Sequence, residues 1–185
     1  MTGCAFVFIF AAVIQSITAQ GPPPLPPNLP PQCRGPPPPN SGKPHECCKV
    51  PAFFTDEDFT GCGFQKLDPA GPPGPHRGPP DCSKQLCLLK KYSLLKDESN
   101  IDHDAVKAFL DKWAETNTNF QTVIATAKDR CVGKSLPGPP EICDANKLVF
   151  CVSSTLFEEC PAWEETTECK TLKSHLDECK SYFPH

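Results

Sequence analysis

Methionine occurs once in these 185 residues, tryptophan and tyrosine twice each, and basic residues nowhere gather into a patch. Lys and Arg number 18 against 22 Asp and Glu, interspersed along the chain, for a net charge of −4. A row of phosphates would find nothing to neutralise it, so nucleic acid is not an expected partner. No Asn-x-Ser/Thr triplet occurs, and N-glycosylation is not expected. Gly-x-Ser-x-Gly, His-Glu-x-x-His and a glycine-rich phosphate loop are all missing. With no nucleophile, base or paired acids in a recognisable spacing, the expected protein is not an enzyme and needs neither a metal nor an organic cofactor.

Asp102-His103-Asp104 offers metal-ligating side chains. Successive residues at a helix start point in different directions, however, and an aspartate there satisfies amide donors and the helix dipole more simply. His45, His76, His175 and His185 lie among polar or proline-rich neighbours and read as exposed.

What the chain has in quantity is cysteine and proline, 13 and 24 residues respectively. Residues 1–19 read as a secretion signal, with an apolar core from Cys4 to Ile14 and a small residue at Ala19, although the usual basic start is lacking. That core is too short to span a bilayer, and no second apolar stretch follows. Twelve cysteines lie beyond it: Cys33, Cys47, Cys48, Cys62, Cys82, Cys87, Cys131, Cys143, Cys151, Cys160, Cys169 and Cys179. Six disulfides require an oxidising compartment, so the expected location is extracellular.

Gln20 to His185 is one domain's length, enough for a real core. Residues 21–44 hold 12 prolines and residues 69–80 six more. Proline lacks the amide donor and clashes with the preceding turn, so both stretches are expected to be extended or irregular rather than helical. The expected organisation is a proline-rich arm at 20–44 and a helical domain at 45–185, with a proline-rich loop inserted at 69–81.

The apolar pattern of the remainder has helical period. Leu86, Leu89, Tyr92 and Leu95 predict a helix over 83–95. Asp102 caps a second, whose inner face is Val106, Phe109, Leu110 and Trp113. Asn117 or Asn119 begins a third through Phe120, Val123, Ile124, Ala127 and Cys131, ended by Gly133. Residues 142–157 are apolar all round and predict a buried helix, with Leu148 to Val152 alone also compatible with a strand. Cys169, Leu172, Leu176 and Cys179 predict a last helix over 164–180, and Thr55 the cap of a short one within 49–68. The fold class is all-α, with five to seven helices.

The adjacent Cys47-Cys48 invites comparison with secreted phospholipases, but Lys49-Val50-Pro51 follows where those enzymes require a His-Asp pair. The spacing Cys131-x19-Cys151-x8-Cys160-Pro161, preceded by a 43-residue gap back to Cys87 and by Cys82, resembles the insect odorant-binding protein family. Pro161 directly after the sixth family cysteine, Cys143 between the fourth and fifth, and Cys169 and Cys179 beyond the sixth resemble its Plus-C group, as does Cys47-Cys48-Lys49-Val50-Pro51 near the start. One departure is the four residues between Cys82 and Cys87, where the family has three; on a helix this turns the pair about 140° apart. If the family's pairing is kept, the resemblance implies Cys82–Cys151 and Cys131–Cys160, with Cys87 bonded to Cys47, Cys48 or Cys62.

The resemblance further implies helices around an apolar cavity, and a secreted carrier of small hydrophobic ligands of odorant or pheromone type, monomeric or homodimeric, with a membrane chemoreceptor as a further partner. An unfilled pocket of about 300 Å³ would cost on the order of 7 kcal/mol, which six disulfides at about 2–4 kcal/mol each can offset. The candidate ligand-binding residues are Phe109, Trp113, Phe120, Val123, Ile124, Leu148, Val152, Leu156 and Phe183, with Tyr92 or Trp113 as a polar handle. The alternative is a disulfide-rich extracellular interaction protein on the same scaffold, with a filled core, binding another protein through its proline-rich arm.

Overall fold

The computed structural model describes residues 28–64 and 82–182. The secretion signal at 1–19, the proline-rich loop at 69–81 and Phe183 lie outside the described residues. The chain divides into two units, Met1–Pro36 and Pro37–His185. In the first, Pro31–Arg34 forms a 3-10 turn, and Arg34 Nε donates to the Leu29 carbonyl at 3.0 Å. The expectation that no part of 21–44 is helical is thus corrected, because proline is tolerated in a first turn, where its missing N–H has no intrahelical partner to lose.

The second unit contains seven α-helices among its described residues: α1 Pro44–Cys47, α2 Asp56–Gly61, α3 Cys82–Lys91, α4 His103–Thr116, α5 Gln121–Cys131, α6 Asp144–Glu158 and α7 Thr167–Cys179. The described residues form no extended strand, only isolated bridges at Cys48–Trp163 and Leu95–Ile101. Local chemistry sets most boundaries. Thr55 and Asp58 form a reciprocal capping box on α2. Asp102 Oδ1 accepts from the amides of Asp104 and Ala105, both at 3.1 Å, and so starts α4 as a cap. α5 ends before Gly133, whose φ of +75° suits a residue without a Cβ.

α3 stops at Lys91, four residues earlier than its apolar pattern predicts. Ser93 adopts φ +57°, its amide bonds the Lys90 carbonyl, and the Leu94 amide bonds the Leu89 carbonyl. This is a Schellman ending, here without the customary glycine, and it folds Leu94 back into the core. α6 is a helix throughout, so the strand alternative for Leu148 to Val152 falls. Nor is it buried all round, since Phe150 is 71% exposed.

The main core gathers Val106, Leu110 and Trp113 of α4, Val123, Ile124 and Ala127 of α5, and Leu148, Val152 and Leu156 of α6. Full burial of a side chain such as Leu156 contributes about 1.5–3 kcal/mol. A smaller core joins α1 to α7 through Cys47, Cys169 and Leu172, flanked by Phe157 and Trp163. Gly42 is required there, because a Cβ on it would stand 2.4 Å from Cys47 Sγ.

All twelve cysteines of the described residues are disulfide-bonded. Cys47 pairs with Cys169, Cys48 with Cys160, Cys62 with Cys87, Cys82 with Cys143, and Cys131 with Cys151. Two of the implied pairs, Cys82–Cys151 and Cys131–Cys160, are therefore corrected, while Cys87 takes one of its three expected partners. The reason is distance. Cys82, in the first turn of α3, lies 6.1 Å by Cα from Cys143 at the start of α6, and Cys131 at the end of α5 lies 5.8 Å from Cys151. Because Cys82 and Cys87 point about 140° apart on their helix, one reaches α6 and the other the end of α2.

Candidate functional site: two hollows that meet at Leu148

An apolar cavity of about 50 Å³ lies among α3, α4 and α6. Its walls are Leu89 and Leu94, then Val106, Phe109 and Leu110, then Leu148, Val149, Val152 and Ser153. Phe53 and Phe54, from the connection between α1 and α2, complete its lining. Both are half-buried. Phe53 lies 4.6 Å by ring centroid from Trp113, and Phe54 stacks on Phe109 at 5.9 Å and meets Tyr92 edge-on at 5.0 Å.

This aromatic pair is held from both sides. Before it, Cys47 and Cys48 are bonded to Cys169 and Cys160; after it, Cys62 is bonded to Cys87. Trp113 Nε1 donates to the Ala52 carbonyl at 3.2 Å, and the Tyr92 hydroxyl donates to Asp58 Oδ2 at 2.6 Å. The hydrogen bonds of Tyr92 and of the Thr55 backbone and side chain, with Lys91 at 3.3 Å, hold the Asp58 carboxyl far below the usual carboxylate range. The same bond pushes the Tyr92 phenol upward. Tyr92 and Trp113, the two residues expected as a polar handle, thus each donate a hydrogen bond within the chain.

Of the expected ligand contacts, Phe109, Leu148 and Val152 line the cavity. Trp113, Phe120, Val123, Ile124 and Leu156 are buried in the surrounding core instead. Sequence reasoning missed Leu89, Leu94, Val106, Leu110, Val149 and Ser153 as lining residues, and with them Phe53 and Phe54. The signal of the last two was an aromatic pair between a double cysteine and a helix cap, but apolar periodicity is silent about a six-residue connection. At about 24 cal/mol per Å³, the cavity costs on the order of 1 kcal/mol, far below the 7 kcal/mol of the expected hollow.

A second, polar hollow of about 260 Å³ also borders Leu148. It is lined by Ser99, Asn100 and His103 around the start of α4, by Lys134 and Ser135 after α5, and by Asp144 and Lys147 at the start of α6. His103 is a first-turn residue of α4.

The class so defined is a disulfide-rich, all-helical domain. No family model matches the chain. Two curated Anopheles gambiae proteins do: general odorant-binding protein 68, 22% identical over 166 residues that cover 82% of this chain and 76% of that protein, and general odorant-binding protein 67, 25% identical over 155 residues that cover 75% and 74%. The chain is thus similar to insect odorant-binding proteins, and its cysteine number is consistent with the Plus-C group.

Proposed function

We propose that this protein is a secreted, non-enzymatic carrier that takes small hydrophobic ligands of odorant or pheromone type into the apolar cavity and keeps them in solution in extracellular fluid. The observation that carries the reading is the apolar cavity itself, lined by three helices and by Phe53 and Phe54 on a segment that no regular secondary structure holds. Loading requires that pair to swing outward, since about 50 Å³ admits only a small group while ligand pockets run to about 300 Å³ and more. Phe109, Leu148 and Val152 are the wall contacts; Trp113, Phe120, Val123, Ile124 and Leu156 support them from behind. Residues 1–19 act as the leader and 20–44 as an arm outside the carrier domain. A membrane chemoreceptor is the downstream partner.

The test is titration of the oxidised protein with an environment-sensitive apolar dye, followed by displacement with volatile alcohols, aldehydes, phenols and esters. Saturation near one dye per chain with displacement by some of the panel supports the carrier. The smallness of the cavity favours one other reading, the interaction protein with a filled core. Absence of dye binding in both the wild type and Phe54→Ala, with a partner captured only while residues 21–44 are present, would establish that reading instead.

A further inference from the structure

The polar hollow carries more cationic character than its surroundings satisfy. The Lys147 side chain is only 15% exposed, yet its one ion pair among the described residues is to Asp144 at 3.9 Å, and that carboxylate is 90% exposed and so hydrated. An ammonium drawn this far out of water without a close counter-charge is costly and attracts an anion. Its stem runs beside Gly138, where a Cβ would meet Lys147 Cε at 3.4 Å, an ordinary packing distance. His103 Nδ1 is buried and has no hydrogen-bond partner. Lys134 brings a second ammonium to the same wall. The first turn of α6 borders the hollow, and Cys143 gives that helix no side-chain cap, so its positive end adds to the field. Asp144 is the single carboxylate in the lining.

Leu148 lines this hollow and the apolar cavity alike. One leucine therefore borders both a cationic recess and an aromatic one. We propose that the polar hollow is a head-group subsite, taking the carboxylate of a single-chain carboxylic acid whose hydrocarbon part passes Leu148 into the cavity behind Phe53 and Phe54. The inference rests on the carrier reading above. A carboxylate here accepts from Lys147 and Lys134.

The experiment compares decanoic acid, decanol and methyl decanoate as displacers of the apolar dye at neutral pH, on the wild type, on Lys134→Gln/Lys147→Gln and on Asp144→Asn. The acid is expected to bind about tenfold tighter than the ester to the wild type, as one charge-assisted hydrogen bond would give. The double variant should lose that preference while its ester affinity, which reports an intact cavity, stays unchanged; Asp144→Asn should strengthen acid binding alone. Equal affinity of acid and ester in the wild type, or a preference that survives the double substitution, overturns the head-group subsite and leaves the carrier standing. Should the double variant lose ester binding too, Asp144→Asn decides: acid affinity no higher than in the wild type overturns the subsite. If none of the three displaces the dye, the subsite falls, and the carrier falls with it only if no member of the broader panel displaces the dye either.

Discussion

Two hollows share one wall, and they are filled on opposite principles. On the apolar side of Leu148 the chain supplies its own occupants: Phe53 and Phe54 pack on Trp113, Phe109 and Tyr92 and reduce the void to about 50 Å³. On the polar side about 260 Å³ stays open, and Lys147 and His103 are left without close partners of their own. An empty apolar space loses dispersion contacts and is closed by whatever side chain can reach it, whereas a polar recess near the surface admits water and costs little when open. Space left in a fold is therefore informative about ligands only when the chemistry of its lining is read with it.

Leu148→Ala should disturb this division most. The residue is almost fully buried, and truncation at such a site costs about 2–5 kcal/mol. A urea melt should show that loss, and the joined hollows should take up a longer dye than the wild type accepts. A cost below about 1 kcal/mol would mean that Leu148 is no shared wall. Phe54→Ala comes next, at about 2 kcal/mol, less than for a fully buried phenylalanine because the ring is half-exposed. It should raise apolar dye affinity and leave decanoate's preference over its ester unchanged; lower dye affinity would make Phe54 a ligand contact rather than a closure.

Tyr92→Phe has a smaller effect, visible mainly in acid. The folded state lowers the Asp58 carboxyl below its unfolded value near 3.8, so the stabilisation is fully present above about pH 4 and is lost as pH falls through the folded value. Without the Tyr92 hydroxyl, the decline in melting temperature between about pH 4 and pH 2 should be shallower than in the wild type. Identical pH profiles would show that the bond does not hold α2 to α3. The closure is accordingly expected to stay latched throughout neutral and mildly acidic conditions. Lys147→Met should change stability least, within about 0.5 kcal/mol, because the stem still packs beside Gly138 while the poorly paired charge is gone. A loss well above that would show that the ammonium supports the fold.

Several elements could be read directly from residue order. The α4 stripe of Val106, Leu110 and Trp113, the Asp102 and Thr55 caps and the Gly133 stop all lie where sequence places them. Each depends on residues within one or two turns of each other, which is the range over which a sequence pattern carries physical meaning. The end of α3 escaped because a serine took the left-handed conformation that glycine usually marks. Of the candidate site, Phe109, Leu148 and Val152 were legible from their helix faces, whereas Phe53 and Phe54 belong to a connection without a period.

Residue order alone thus set the helical class, most helix boundaries, the apolar faces and the dependence on disulfides, because periodicity, capping and cysteine number are properties of neighbouring residues. Which cysteine meets which, which aromatic side chains occupy the space between α3, α4 and α6, and that a cationic recess and an apolar cavity border one leucine were decided only in the assembled fold. Those are distances between parts of the chain up to 122 residues apart, as between Cys47 and Cys169, and packing of the helices, not spacing along the chain, sets them.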